Sequence, residues 1–145
     1  YNRLSKDDCK NGYVLDGFPR NLSQISIYED ICRSSNLKNI IVVLDIPREV
    51  GEARITGRRV CPECGSVYNE NIKESKPKVL GVCDECGHEL NHRDDDNLET
   101  YNHRYEVYVN ETEPITHHYD VYHVDGTRTL NEVFSDIDKI IKENL

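Results

Sequence analysis

The chain has 145 residues, a natural size for one domain plus an insert, and carries 27 acidic against 18 basic side chains for a net charge of −9. That balance argues against a surface built for nucleic acid, while leaving room for a local anion pocket. No apolar run approaches the ~18–20 residues that cross a bilayer as a helix, so no membrane partner is expected.

The chain contains no methionine and begins at Tyr1, so the natural start is expected to lie upstream. Residues 1–11 read as the tail of a helix running into a turn at Asn11-Gly12. Tyr13-Val14-Leu15, ending in Asp16, is a short apolar run of the kind that forms a strand buried on both faces. Gly17-Phe18-Pro19-Arg20 is a loop, and Asn21 is placed to cap a helix from Leu22 to about Ser34. Leu22, Ile25, Tyr28 (or Glu29) and Cys32 share one face of it. A second buried strand follows at Ile40–Leu44, ending in Asp45. Pro47 then opens a helix that runs towards Gly57.

The next segment holds two Cys-x-x-Cys pairs, Cys61/Cys64 and Cys83/Cys86, each followed by glycine and separated by eighteen residues. Four thiolates at this spacing close a tetrahedral zinc shell with no open position, which makes the metal structural. The alternatives are two disulfides or free buried thiols, and a disulfide inside each pair would be strained. Between Arg58 and Arg93 the apolar side chains are few: Val60, Val67, Tyr68, Ile72, Val79, Leu80, Val82 and Leu90. Their burial is too small a gain to order the segment unaided, so a metal-stapled β lid is expected. His88 and His92 are read as exposed, because four cysteines suffice. Cys9 and Cys32 are read as buried thiols, and the whole cysteine pattern suits a reducing compartment.

After Arg93, the triplet Asp94-Asp95-Asp96 is expected to start a long helix. Leu98, Tyr101, Tyr105, Tyr108, Thr112, Ile115 and Tyr119 recur at spacings of three and four, a single face best read as core. Pro114 should bend or interrupt that helix. Val121–Val124 is a third strand, closed by Asp125-Gly126. Thr129 caps a last helix whose inner face is Val133, Phe134, Ile137, Ile140 and Ile141. The alternation predicts an α/β fold with a parallel sheet: core residues 1–57, lid residues 58–93 and core residues 94–145.

In such folds ligands sit outside the carboxyl ends of the strands, which gathers Asp16, Arg20, Asp45 and Gly126 at one rim. Asp16 can hold magnesium through water, or can cap a loop. Arg20, Arg54, Arg58, Arg93, Arg104 and Arg128 lie at the rim or the lid hinge. Guanidinium forks suit phosphate oxygens, so together they favour a small polyanion over scattered surface pairs.

These residues carry a resemblance. Asp8-Cys9, Asn11-Gly12, the run Tyr13–Arg20, Gln24, Thr56-Gly57-Arg58-Arg59-Val60, the four-cysteine lid, Tyr68, Arg93-Asp94-Asp95, Arg104 and Asp125-Gly126 resemble adenylate kinases of the zinc-containing branch, over nearly the whole chain. The resemblance implies a P-loop kinase core and transfer of the γ-phosphoryl of ATP to AMP, giving two ADP, with magnesium. It implies that Gly17, Phe18, Pro19, Arg20 and Gln24 contact AMP. Arg54, Arg58, Val67, Tyr68 and Arg128 would contact ATP. Arg58, Arg93 and Arg104 would act in catalysis, the last two also on AMP. It further implies a cytoplasmic monomer, with an organelle left open.

One departure stands out. The chain has no G-x-x-x-x-G-K-[ST] loop, so it resembles the C-terminal two-thirds of such a kinase and is expected to be inactive by itself. Two other readings compete: a zinc-ribbon nucleic-acid module, and a non-catalytic nucleotide-binding fragment.

Overall fold

Asn21 sets the start of the first helix. In the computed structural model, which describes residues 2–36 and 38–145, its side-chain oxygen accepts the Gln24 N–H at 3.0 Å. That satisfies one of the amides a helix leaves open at its N-terminus. Helix α1 spans Leu22–Ser35 and buries Ile25, Tyr28 and Ile31. Leu22, expected on that face, is 66% exposed, and Cys32 is half-buried. The face is set instead by Tyr28, against which the Tyr119 ring packs edge-on at 5.9 Å.

Two expectations near the N-terminus are overturned. Residues 2–11 form turns and a short 3-10 helix at Asp7–Cys9 in place of a helix tail; Tyr1 lies outside the described residues. Arg3 forks onto both carboxylate oxygens of Asp8, at 2.9 and 2.8 Å, and folds the segment back on itself. Tyr13–Asp16 does not form a strand, and Val14 is 92% exposed. An extended segment needs neighbours for its backbone groups and cover for its faces, and this one has no ladder partner among the described residues.

The predicted parallel pairing does form. Strands β1 (Val42–Asp45) and β4 (Tyr122–Asp125) make a two-stranded sheet. The Tyr122 N–H donates to the Ile41 carbonyl at 2.8 Å and the Gly126 N–H to the Asp45 carbonyl at 2.9 Å. Equal steps in the same direction on both strands make the pair parallel. The expected burial of β1 is only half realised: Val42 and Val43 are half-buried and Leu44 is 47% exposed.

Pro47 immediately precedes α2 (Arg48–Gly57). Strands β2 (Arg58–Val60) and β3 (Val67–Asn69) follow as an antiparallel pair, with Arg58 opposite Asn69, Arg59 opposite Tyr68 and Val60 opposite Val67. Helix α3 covers Leu98–Val107, a π-helical turn covers Tyr108–Thr112 and α4 covers Glu113–Thr116. The change of pattern lies directly before Pro114, which has no N–H to return to a carbonyl one turn back. It also breaks the expected continuous face: Leu98 and Tyr108 are 50% and 38% exposed, while Ile115 is buried. A π turn takes an extra residue and rotates everything after it.

The chain clusters into two compact units. One holds Tyr1–Val43, Val107–Val124 and Leu130–Leu145, the other Leu44–Glu106 and Asp125–Thr129. In the first, Tyr119 donates to Glu29 at 3.2 Å and Thr112 donates to the Arg20 carbonyl at 2.8 Å. Helix α5 (Leu130–Asn144) forms where expected, but none of its residues is buried and Phe134 is 70% exposed. Periodicity and ion pairs such as Lys142–Asp138 (2.6 Å) make the helix; burying its face needs a facing surface. No helix among the described residues is long and apolar enough to cross a membrane.

In the second unit the end of α2 is tied to β3 by a buried amide. Asn69 donates to the Arg54 carbonyl at 2.7 Å and accepts the Asn71 N–H at 3.0 Å. A Cβ at Gly57 would stand 2.2 Å from the Asn69 oxygen, so only glycine allows this approach. Asn69→Ala should therefore cost about 1–3 kcal/mol through the orphaned carbonyl and amide, read as a lower Tm. Asn69→Asp should not restore it, because a carboxylate cannot donate to Arg54.

Candidate functional site

Three arginines of the second unit converge on two aspartates. Arg58, at the start of β2, grips Asp96 with two donors, Nε at 2.8 Å from Oδ2 and Nη2 on Oδ1. Asp96 is fully buried, and the Arg58 hydrogen bond holds its carboxyl below the usual carboxylate range against the opposing effect of burial. Arg93 reaches Asp95 at 3.3 Å and Arg104, on α3, reaches it at 2.8 Å. The Arg104 hydrogen bond, followed by the charge of Arg93, lowers the Asp95 carboxyl as well.

Asp95 and Asp96 were not legible as site residues. The triplet was expected to start a helix, but α3 begins at Leu98 and its cap is Asn97, whose oxygen accepts the Thr100 N–H at 2.9 Å. Asp95 and Asp96 are thereby left to face the cations. The usable signal was an acidic run bracketed by Arg93 and Arg104.

A second group lies in the same unit. Asp125 accepts both the N–H (2.9 Å) and the hydroxyl (2.6 Å) of Thr127. These bonds first, and then the charges of Arg128 and Arg54, hold its carboxyl low. Arg54 also lines a cleft of ≈ 320 Å³ with Glu49, Val50, Ala53, Asn71, Ile72 and Thr127. Val67 is 61% exposed.

Asp16, Gly17, Phe18, Pro19, Arg20 and Gln24 belong to the first unit. Asp16 is exposed. The Arg20 guanidinium donates to the Gly17 carbonyl at 2.8 Å, and the Arg20 N–H donates to the Gln24 side chain at 2.8 Å. Gly17 has φ of +69°, a backbone conformation that favours glycine at this turn.

The four cysteines come together as their spacing predicted. Their sulfurs all lie within 4.8 Å of one another. Cys61 and Cys86 are 3.4 Å apart, Cys64 and Cys83 3.5 Å, Cys64 and Cys86 3.6 Å. A tetrahedron with metal–sulfur arms of ~2.3 Å has edges of ~3.8 Å, so the set fits a metal ion; it does not fit disulfides, whose sulfurs stand ~2.05 Å apart. The Tyr68 hydrogen bond draws the Cys83 thiol down to about 6. Cys86 is pulled down by the His88 backbone, yet crowding by Cys61, burial, Cys64 and Cys83 outweigh that and push it up to about 12. These four sulfurs can hold a metal ion, which would bind them as thiolates. His88 and His92 are exposed, as expected.

The family model for adenylate kinase matches residues 1–124. The chain belongs to the adenylate kinase family. A relative from Caldanaerobacter subterraneus subsp. tengcongensis, named adenylate kinase, is 43% identical over 144 residues, covering 96% of this chain and 64% of the relative. Adenylate kinases of Clostridium tetani and Thermotoga petrophila are 42% and 39% identical over 96% of this chain, covering 66% and 64% of their own lengths. The chain thus spans about two-thirds of the length of these relatives. Membership places it among P-loop kinase folds and does not favour the zinc-ribbon reading.

The Asp96 carboxyl carries a pH prediction. Its folded value lies below its unfolded value, so its pairing stabilises above the ordinary carboxylate range, at about pH 4, and that contribution is lost as pH falls through the lowered value. Asp96→Asn should flatten the acid limb of a Tm-against-pH profile. An unchanged acid limb would show that the pair does not report on stability.

Proposed function

We propose that this chain supplies much of the nucleotide site of an adenylate kinase, which transfers the γ-phosphoryl group of ATP to AMP reversibly and yields two ADP. The observation that carries this reading is the gathering of Arg58, Arg93 and Arg104 around Asp95 and Asp96, in a chain of that family with net charge −9. Phosphoryl transfer asks for positioned cations around a charge-spreading transition state, not for a covalent nucleophile.

In this reading Asp95 and Asp96 hold the guanidinium forks in place until phosphate oxygens compete for them. Arg58 takes the ATP phosphates; Arg93 and Arg104 meet the transferring group and the AMP phosphate. Arg54 and Arg128 hold the ATP base side, with Val67 and Tyr68 close by. Gly17, Phe18, Pro19, Arg20 and Gln24 form the AMP side. Asp16, an exposed carboxylate, would hold magnesium through water, and magnesium supplies charge neutralisation on the nucleotide phosphates when bound. Residues 58–93 act as a lid on a core of residues 1–57 and 94–145, and its closure excludes water that would otherwise take the phosphoryl group.

Zinc is the ion assigned to Cys61, Cys64, Cys83 and Cys86, as a closed, structural site. Elemental analysis should find one zinc per chain, and Cys64→Ser should lower Tm; carefully purified protein without zinc would refute the assignment.

In the full-length protein, Arg93→Ala or Arg104→Ala should lower kcat for ADP formation by about 10³–10⁵-fold while changing AMP binding far less. Near-normal kcat in either variant would remove that residue from the catalytic set.

A further inference from the structure

The sulfur cluster is served by two hydroxyl groups that the four-ligand description omits. Ser66 Oγ lies 3.1 Å from Cys64 Sγ, and Tyr68 Oη lies 3.5 Å from Cys83 Sγ. Tyr68 lies on β3 and Ser66 immediately precedes that strand, two positions away in the chain. Each reaches one cysteine of a different Cys-x-x-Cys pair. The Tyr68 oxygen also accepts the Asp84 N–H at 2.9 Å. That bond occupies a lone pair and leaves the phenolic proton for sulfur. A cysteine that ligates a metal is a thiolate and has no proton of its own, so both bonds must run from hydroxyl to sulfur.

We propose that Ser66 and Tyr68 are positioning residues of the metal centre, two donors that orient Cys64 and Cys83 and withdraw charge from their sulfurs. Four thiolates around a divalent ion leave two negative charges uncompensated, and a donor on each pair spreads that charge evenly over the two halves. Cys61 and Cys83 are 1% and 2% exposed, so solvent cannot supply the donor at Cys83. Tyr68 is therefore the side-chain donor at Cys83, beside the backbone amides of Glu85 and Cys86, while Ser66 serves the exposed Cys64.

The test uses the full-length protein with cobalt(II) loaded in place of its native metal, and does not depend on turnover. Removing a donor raises the electron density on sulfur, so Tyr68→Phe and Ser66→Ala should each move the sulfur-to-cobalt charge-transfer band to lower energy. Each should also speed transfer of the native metal to the chelator 4-(2-pyridylazo)resorcinol by about 10-fold or more, within the 10–100-fold range that outer partners of metal ligands carry. Ser66→Thr keeps a hydroxyl and should restore both readouts. Bands and transfer rates unchanged in both variants would overturn the proposal. So would a Ser66→Thr variant that behaves like Ser66→Ala, since the effect would then be packing and not donation. If Tyr68→Phe fails to fold, the serine pair decides the question alone.

Discussion

The bidentate pair between Arg58 and Asp96 closes the base of the segment that holds the four-cysteine cluster. Arg58 is the first residue of β2 and Asp96 lies just past the end of that segment, so one ion pair joins its two ends. The mutual backbone hydrogen bonds of Val60 and Asn91, at 2.9 and 2.8 Å, continue the closure one step further in. A carboxylate with no solvent exposure survives only because its partner satisfies both oxygens. Such a pair is worth little against an apolar replacement, but removing one partner is expensive. The segment is thus fastened by an interaction that a competing anion can contest.

What lies beyond that base has little core of its own. Of the apolar side chains between Arg58 and Arg93, Val67, Val79 and Leu80 are each more than 60% exposed. The buried cluster is Cys61, Cys83 and Leu90, with Tyr68 packed against it. Burial on that scale is a small gain against the cost of ordering the segment, and a metal ion at the four cysteines would add what it lacks. The protein spends its cohesion on the cluster and leaves the outer surface of the segment unburied.

Local charge runs against the global charge. A chain with net charge −9 holds Arg93 and Arg104 on one aspartate and Arg58 on the next. The two aspartates offset two of the three positive charges, which lessens the mutual repulsion the fold has to bear. The same arrangement keeps each guanidinium oriented, which matters more for phosphate chemistry than charge alone.

Much of the architecture was legible in the sequence because it depends on local rules. The Asn21 cap, the strand ending at Asp45, the interruption at Pro114 and the clustering of the four cysteines all follow from spacing and residue chemistry. The resemblance of the Tyr13–Arg20 run and the arginines led to the family, because those residues are tied to one chemistry. Tertiary structure decided what local pattern cannot encode. Tyr13–Asp16 has strand-like residues but no strand beside it among the described residues, and the apolar stripe of α5 is only half covered, with Val133, Ile137 and Ile140 half-buried and Phe134 exposed. Asp95 and Asp96 read as helix-start acids until the fold brought Arg58 from 38 positions away onto Asp96 and Arg104 from nine positions away onto Asp95. Propensity and periodicity are properties of a segment; pairing, burial and ion-pair partners are properties of the segments it meets, and those contacts exist only once the chain has folded.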